Sequence, residues 1–255
     1  MLLAIDVGNS KVAFGIFEAE KLRHTLHIAT DIHRMTDEYA SLLFNLLPHQ
    51  GVAKEDITEA IMCSVVPPLV GVFQELCHRY LGISLLVVEP GVKTGVRIHL
   101  DNPREVGADR IVNAAAAYRL YGGPAIVIDM GTATTFDVLS EEGDYLGGAI
   151  APGMEIAAEA LYTRTARLPR IELSRPQNAL GKNTVSAMQS GIIFGYVGLV
   201  EGLVARLNQE LEEKAKVIAT GGYAEVIARE TQVIEIVNPH LTLLGLRLIH
   251  ELNKR

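Results

Sequence analysis

Tryptophan is absent from the 255 residues, cysteine occurs twice and aromatic side chains make up only 5%. Cys63 and Cys77 stand 14 residues apart and form no CxxC pair, so a disulfide framework and a zinc motif are both excluded. They read as two buried small hydrophobes in a reducing compartment. Positive charge is also short: 23 Lys and Arg face 30 Asp and Glu, a formal charge of −7. A sequence-independent nucleic-acid binder needs a basic surface to release phosphate counterions, so no nucleic acid is expected as partner.

Long clean apolar runs are missing too. Asn183 to Val200 is the most apolar stretch, yet it carries Asn183, Ser186, Gln189 and Ser190 and runs into Glu201 and Arg206. That predicts a buried helix and no membrane span. Asp6 breaks the first apolar run after five residues, so no secretory signal is read and a cytoplasmic chain is expected. Familiar nucleotide and metal signatures are lacking as well. There is no GxGxxG, and Gly181-Lys182 lacks the upstream glycine and the hydroxyl of a Walker A loop. His250-Glu251 lacks the second His of HExxH, and Met35 after His33-Arg34 rules out the protein-kinase catalytic loop. His24 and His27, three apart on a strand, face opposite sides and cannot share a metal.

What is present is a globular composition, 49% hydrophobic and 21% charged. The length fits one large domain or two small ones and buries about three quarters of its unfolded surface without a staple. Leu2 to Ile5, Val12 to Phe17 and Lys21 to Ala29 read as a β-meander turning at Gly8-Asn9. Thr36 reads as an N-cap, with Asp37 and Glu38 in the first turn of a helix that Pro48 ends. A strand at Ala60 to Val66, a helix to Tyr80 and a strand at Leu85 to Val88 follow. Gly91 to Val106 reads as a long surface loop, then Asp109 to Leu120 as an alanine-rich helix.

After Gly122-Gly123-Pro124 the pattern restarts. D-x-G-[NT] occurs at 6–9 and again at 129–132, each time between two strands and 123 residues apart. A repeat near half the chain length predicts two similar α/β halves, residues 1–121 and 122–255, facing each other. In the second half, glycines 191, 195, 198 and 202 lie on one face of a long helix, Thr184 to Lys214. Glycine in a helix costs about 1 kcal/mol relative to Ala, so such a stripe points to close approach of another element. A strand at 217–219, a Gly221-Gly222 turn, a short helix, a strand at 233–237 and a last helix at 241–253 complete the order.

Three features carry chemistry. Around Asp6, the residues Gly8, Asn9, Ser10 and Lys11 offer close backbone approach, hydrogen-bond donors and a positive charge to an anion. The carboxylate repels phosphate, so its partner is Mg²⁺ carrying the phosphate, through water. An ordinary hairpin turn uses the same residue types, but the second copy at Asp129 favours a phosphate clamp. Thr132 sits at that second turn, while Thr134 and Thr135 read as strand formers. Gly107-Ala108-Asp109-Arg110 opens the alanine-rich helix. It is either a helix entry or a general base, Asp109, beside an anion-binding Arg110.

Taken in order, IDVGNSKVAFGIF, NPREVGADRIVNA, IDMGTATTFD, GGAIAPG and IATGG resemble the type III pantothenate kinase family over about residues 1–253. The resemblance implies two ribonuclease-H-like halves of the actin-like ATPase kind, facing a cleft, in a homodimer. It implies phosphorylation of pantothenate by ATP, the first step of coenzyme A synthesis. Asp6, Val7, Gly8, Asn9, Ser10, Lys11, Val12 and Ala13 match the first phosphate segment, and Thr132 an ATP contact. Asp129 matches the ligand of a monovalent cation, K⁺ or NH₄⁺, used alongside Mg²⁺ with ATP. Gly107, Ala108, Asp109 and Arg110 match the pantothenate segment, with Asp109 as proton acceptor. Thr184 matches a pantothenate contact made across the dimer, and Gly221-Gly222 the adenosine-side turn. One departure stands out: Leu100 occupies a substrate position where the family usually has Tyr. Leu100 is compatible with two rival readings, a non-catalytic binding relative and a kinase of another small hydroxy or carboxy compound.

Overall fold

The computed structural model describes residues 1–254. They form two compact units. The first comprises residues 1–96 and 101–116 and the chain from Leu241 onward; the second comprises 97–100 and 117–240. Membership is not set by a single cut of the chain, because the last helix packs on the first sheet.

In the first unit, β1 (Leu2–Val7), β2 (Lys11–Glu18) and β3 (Lys21–Ala29) form an antiparallel meander. β4 (Glu59–Ser64) and β5 (Leu85–Val87) add in parallel, in the order β3-β2-β1-β4-β5. Period-two alternation sorts the side chains of β1. Leu3, Ile5 and Val7 enter one core with Phe14, Tyr39, Leu43 and Phe73, from β2, α1 (Thr36–Leu46) and α2 (Pro67–Leu76). Leu2 and Ala4 enter the other, with Cys63, Val112, Leu246 and Ile249 from β4, α3 (Ala108–Tyr121) and α7 (Leu241–Asn253). Full burial of each large apolar side chain contributes about 1.5–3 kcal/mol, so both sheet faces are anchored. α7 and α3 touch closely: a Cβ at Gly245 would lie 2.3 Å from the Val112 carbonyl oxygen.

The second unit repeats this plan. β6 (Ala125–Met130), β7 (Ala133–Leu139) and β8 (Tyr145–Pro152) are the antiparallel meander. β9 (Lys216–Gly221) and β10 (Ile236–Val237) run parallel to β6, giving β8-β7-β6-β9-β10. The two sheets therefore share one strand order, as the doubled D-x-G motif predicts. Ile126, Ile128, Phe136, Val197 and Val200 pack β6, β7 and α5 (Thr184–Gln209) into one core, with α4 (Met154–Arg164) and α6 (Ala224–Ala228) beside them.

Three local expectations are corrected, and the loop expected from Gly91 to Val106 is found as a loop. Met35, not Thr36, is the N-cap of α1, and its backbone N–H is held by Glu38 Oε2 at 2.8 Å. Thr36 is buried and donates instead to Glu75 Oε2 at 2.8 Å. α5 stops at Gln209, five residues early; Glu210, Glu212 and Glu213 would set like charge against the negative helix C-terminus. The last strand shortens to Ile236–Val237. The loop after Gly91 is partly ordered by pairing: His99 N–H donates to the Tyr145 carbonyl and Tyr145 N–H to the Arg97 carbonyl, both at 2.8 Å.

Candidate active site

The first D-x-G turn is built by backbone contacts. Gly8 N–H donates to the Lys11 carbonyl at 3.0 Å, and a Cβ at Gly8 would press to 3.1 Å on that oxygen. Thr30, at the end of β3, clasps the turn from outside. Its hydroxyl donates to the Gly8 carbonyl at 2.7 Å and its N–H to the Ser10 carbonyl at 3.1 Å. Asn9, Ser10 and Lys11 are exposed, whereas Val7, Val12 and Ala13 put their side chains into the cores. Those three can serve a phosphate only through their backbone.

Asp109 joins Asp6 through a residue that sequence reasoning set aside. Cys63 is the register partner of Asp6 across the parallel β1–β4 pair, and its Sγ–H donates to Asp6 Oδ1 at 3.5 Å. Burial pushes the Cys63 thiol well up, and the charges of Asp6 and then Asp109 push it further. Three groups from β1, β4 and the start of α3 are thus electrostatically coupled, and the fully buried thiol, hydrogen-bonded to Asp6, is kept protonated. No sequence signal marks Cys63, because its partner lies 57 residues away.

Asp109 itself is set by its neighbours. A Cβ at Gly107 would fall 2.5 Å from Asp109 Oδ1, so glycine clears the space that carboxylate occupies. Asp109 Oδ1 accepts the Arg110 N–H at 2.8 Å. Burial raises the Asp109 pKa, outweighing the lowering by the Arg110 backbone and charge. A carboxylate made more basic at a helix N-terminus is suited to receive a proton.

In the second unit the Asp129 turn closes one residue tighter, with Gly131 N–H on the Ala133 carbonyl at 3.0 Å. Two further glycines are moulded to it. Gly221, in the left-handed region at φ 92°, would put a Cβ 2.7 Å from Asp129 Oδ1 and 2.6 Å from the Met130 carbonyl. Gly153 would put one 2.2 Å from the Thr132 carbonyl, to which its N–H donates at 3.1 Å. Of these, Gly221 belongs to a motif noted in the sequence; Gly153, in GGAIAPG, was missed as a packing requirement. Thr134 Oγ1 is buried with no hydrogen-bond partner among the described residues. It lies opposite Met130, on the sheet face away from Asp129, in keeping with a structural threonine. Among the described residues no group of three or more His, Cys, Asp or Glu could hold a metal ion.

Two other expected residues, Leu100 and Thr184, lie elsewhere in the second unit, and Tyr223, which the sequence alone does not single out, follows the Gly221-Gly222 turn. Leu100, half-buried, has Cδ2 3.4 Å from a Cβ built on Gly147 of β8. Thr184 is exposed at the start of α5 and lines an open groove of about 730 Å³ with Leu161, Leu168, Met188 and Ile192. Tyr223, just after Gly221-Gly222, donates to Glu155 Oε1 at 2.8 Å beside a cavity of about 360 Å³. Burial, then that carboxylate, pushes the Tyr223 phenol up to about 12, so it stays a donor.

Comparison with known proteins fits this geometry. The type III pantothenate kinase family profile matches residues 2–206. Two proteins named type III pantothenate kinase, from strains of Dehalococcoides mccartyi, are each 56% identical over 253 residues. These cover 99% of this chain and 98% and 96% of theirs. Among solved structures, a Baf family transcriptional activator from Campylobacter jejuni aligns at TM-score 0.61 and 19% identity, over 98% of both chains. Component A of the (R)-2-hydroxyglutaryl-CoA dehydratase of Acidaminococcus fermentans aligns at TM-score 0.55 and 15% identity, over 96% of this chain and 94% of that one. These two likenesses speak for the fold, whereas the profile and the curated relatives place the chain in the type III pantothenate kinase family.

Proposed function

We propose that this chain transfers the γ-phosphoryl group of ATP to the terminal hydroxyl of pantothenate, with Asp109 as proton acceptor. The observation that carries the reading is Asp109 itself: a half-buried carboxylate that burial makes more basic, seated by Gly107, whose charge together with that of Asp6 raises the Cys63 thiol. The Gly8–Lys11 turn offers backbone N–H groups and the Lys11 ammonium to phosphate oxygens. Asp6 faces the Mg²⁺ that accompanies ATP, which when bound shields the phosphate charge. Phosphoryl transfer needs little beyond positioning and electrostatics, and both turns supply these with backbone that glycine keeps tight.

The same reading assigns Asp129 to a monovalent cation, K⁺ or NH₄⁺, and Thr132 to ATP. A single carboxylate among carbonyl and hydroxyl oxygens suits a hard cation of low charge. The cavity beside Tyr223 would take the adenosine end. Activity is expected to fall steeply when K⁺ is replaced by Na⁺ at constant ionic strength, and equal rates would remove the cation from Asp129.

A homodimer completes the assignment. Glycines 191, 195 and 198 of α5 have nothing within 4 Å of a built Cβ. The close approach that the stripe predicts is therefore met by no described element of this chain, and a second copy supplies it. Thr184 then serves pantothenate in the partner. A turnover screen of pantothenate, pantetheine and short hydroxy carboxylates with ATP tests the whole reading. Pantothenate should give the highest kcat/KM. Turnover of another substrate alone would transfer the assignment to a different small-molecule kinase, and ATP binding without any turnover would leave a binding relative.

A further inference from the structure

Residues 97–100 belong to the second unit, where Ile98 is bridged in parallel to Tyr145 at the start of β8. Exposure alternates along this short segment: Arg97 and His99 are exposed, Ile98 and Leu100 half-buried. Successive side chains on extended backbone take opposite faces, so Leu100 shares the inner face with Ile98. Two backbone bonds hold the register, from Tyr145 N–H to the Arg97 carbonyl and from His99 N–H to the Tyr145 carbonyl, both at 2.8 Å. A slip by one residue would turn Leu100 outward.

Asp144, the residue before Tyr145, meets both outward side chains. Arg97 Nε donates to its Oδ1 at 2.8 Å, and His99 Nε2 lies 3.1 Å from its Oδ2. A carboxylate only accepts, so the ring nitrogen that faces it donates. The Arg97 hydrogen bond above all holds the Asp144 carboxyl below the usual carboxylate range, so it stays ionised. The acceptor is itself fixed. Asp144 N–H donates to Ser140 Oγ at 3.2 Å, its carbonyl accepts the Ser140 N–H at 2.9 Å, and its side chain is 14% exposed against 72% for Arg97. Beside it, the buried Tyr145 hydroxyl donates to buried Asp137 Oδ1 at 2.7 Å, and Asp137 Oδ2 accepts from Thr135 Oγ1 at 3.2 Å. The β7–β8 hairpin is therefore the rigid side of the contact, and residues 97–100 are what it places. In a register shifted by one, Ile98 and Leu100 would stand on the outer face, and neither side chain can donate to Asp144.

We propose that Asp144 is a positioning residue for the substrate: by accepting from Arg97 and His99 it locks the register that keeps Leu100 on the inner face. The proposal rests on the reading of Leu100 as a pantothenate position. Ion pairs near a surface add little to global stability, so the contact acts on placement of the segment and shows in substrate affinity.

Asp144→Ala, Arg97→Ala and the double variant are compared with the unaltered enzyme by amide hydrogen exchange and steady-state kinetics. Asp144→Ala should speed exchange over residues 97–100 and raise KM for pantothenate about two- to fivefold, the reach of such pairs. Its kcat, KM for ATP and Tm should stay nearly unchanged. Arg97→Ala should reproduce part of this, and the double variant should match Asp144→Ala alone, because both substitutions remove one contact. Unchanged exchange in Asp144→Ala overturns the proposal, as does a loss confined to kcat or a double variant whose losses add. Faster exchange with an unchanged KM for pantothenate overturns it too, and Leu100→Ala then separates the causes. If Leu100→Ala raises that KM, the lock fails and the substrate reading stands; if it does not, the substrate reading of Leu100 fails with the lock.

Discussion

Cys63 Sγ donates to Asp6 Oδ1 at 3.5 Å across a parallel strand pair, and the second sheet repeats the relationship with Thr220 as the register partner of Asp129. In both units the carboxylate of the D-x-G turn thus has a small protic side chain at its flank on the neighbouring parallel strand. In the first unit the thiol also lies in the field of Asp109. A thiol raised this far stays protonated at neutral pH, so it donates and adds no third negative charge.

Cys63→Ser keeps the donor, and near-normal activity is expected. Cys63→Ala removes it, and a neutral hydrogen bond contributes about 0.5–1.5 kcal/mol. The effect should be a roughly 2–13-fold loss in kcat/KM for ATP, with thermal stability close to that of the serine variant. Steady-state kinetics on both variants checks this. Equal losses in serine and alanine would make Cys63 a packing residue only.

Asp109 carries opposite consequences for activity and stability. Its pKa in the folded chain is raised above the ordinary carboxylate value by burial. A carboxyl group with a raised folded pKa favours folding below its unfolded pKa, and that contribution is lost as pH rises through the folded value. At neutral pH the partly desolvated charge therefore costs stability. Asp109→Asn should raise Tm at pH 7, and the gain should shrink as pH falls through the carboxylate range. The same variant should lose about 10²–10⁴ in kcat, the usual worth of a positioned base. In the unaltered enzyme the acid limb of kcat/KM should lie above the ordinary Asp range. Calorimetry across pH and single-turnover rates measure the two effects on one protein.

How much of this was legible in the sequence follows from the range of the interactions. The doubled D-x-G turn announced both meanders, because a hairpin turn and its flanking alternation are local. The GADR segment placed Asp109 at a helix start for the same reason. Cys63 was read as inert, since only the register of two strands separated by α1 shows what it faces. Thr36 was read as a cap because the rule for caps is local, whereas its partner Glu75 lies on α2. Packing of α7 on the first sheet is likewise a contact between the ends of the chain, invisible to any window. Glycines 191, 195 and 198 stand out in the sequence as a stripe, but no described element of this chain lies within 4 Å of a Cβ built on them, and the second copy proposed to cover them is not legible in one sequence.

That stripe yields a prediction on assembly. Gly195→Leu adds a side chain where nothing stands within 4 Å in a single copy, so the folded chain tolerates it. Glycine to a good helix former at an exposed site should even stabilise the helix by up to about 1 kcal/mol. If a second copy packs there, dimerisation and activity should fall together. Sedimentation velocity run beside the kinase assay reads both. A fully active monomer at assay concentration would end the shared-site assignment of Thr184.

If Leu100 lines the pantothenate site, as the family resemblance implies, it bears on how well that substrate is held. Its segment is tied to β8 by the two backbone bonds between His99, Tyr145 and Arg97, and its Cδ2 reaches within 3.4 Å of a Cβ position on Gly147. A leucine there offers packing and no hydroxyl, where a tyrosine would offer both. The missing donor is worth about 0.5–1.5 kcal/mol, a factor of roughly 2–13 in affinity. Loss on that scale should raise KM and leave the chemical step alone, since that step is assigned to the proposed base Asp109 and the proposed phosphate turns. The absence of a Cβ at Gly147 leaves room for the larger ring to settle against β8. Leu100→Tyr is therefore expected to lower KM for pantothenate about 2–13-fold, with kcat and KM for ATP nearly unchanged. A change confined to kcat, or an unchanged KM in a variant that folds normally, would place Leu100 outside the substrate site.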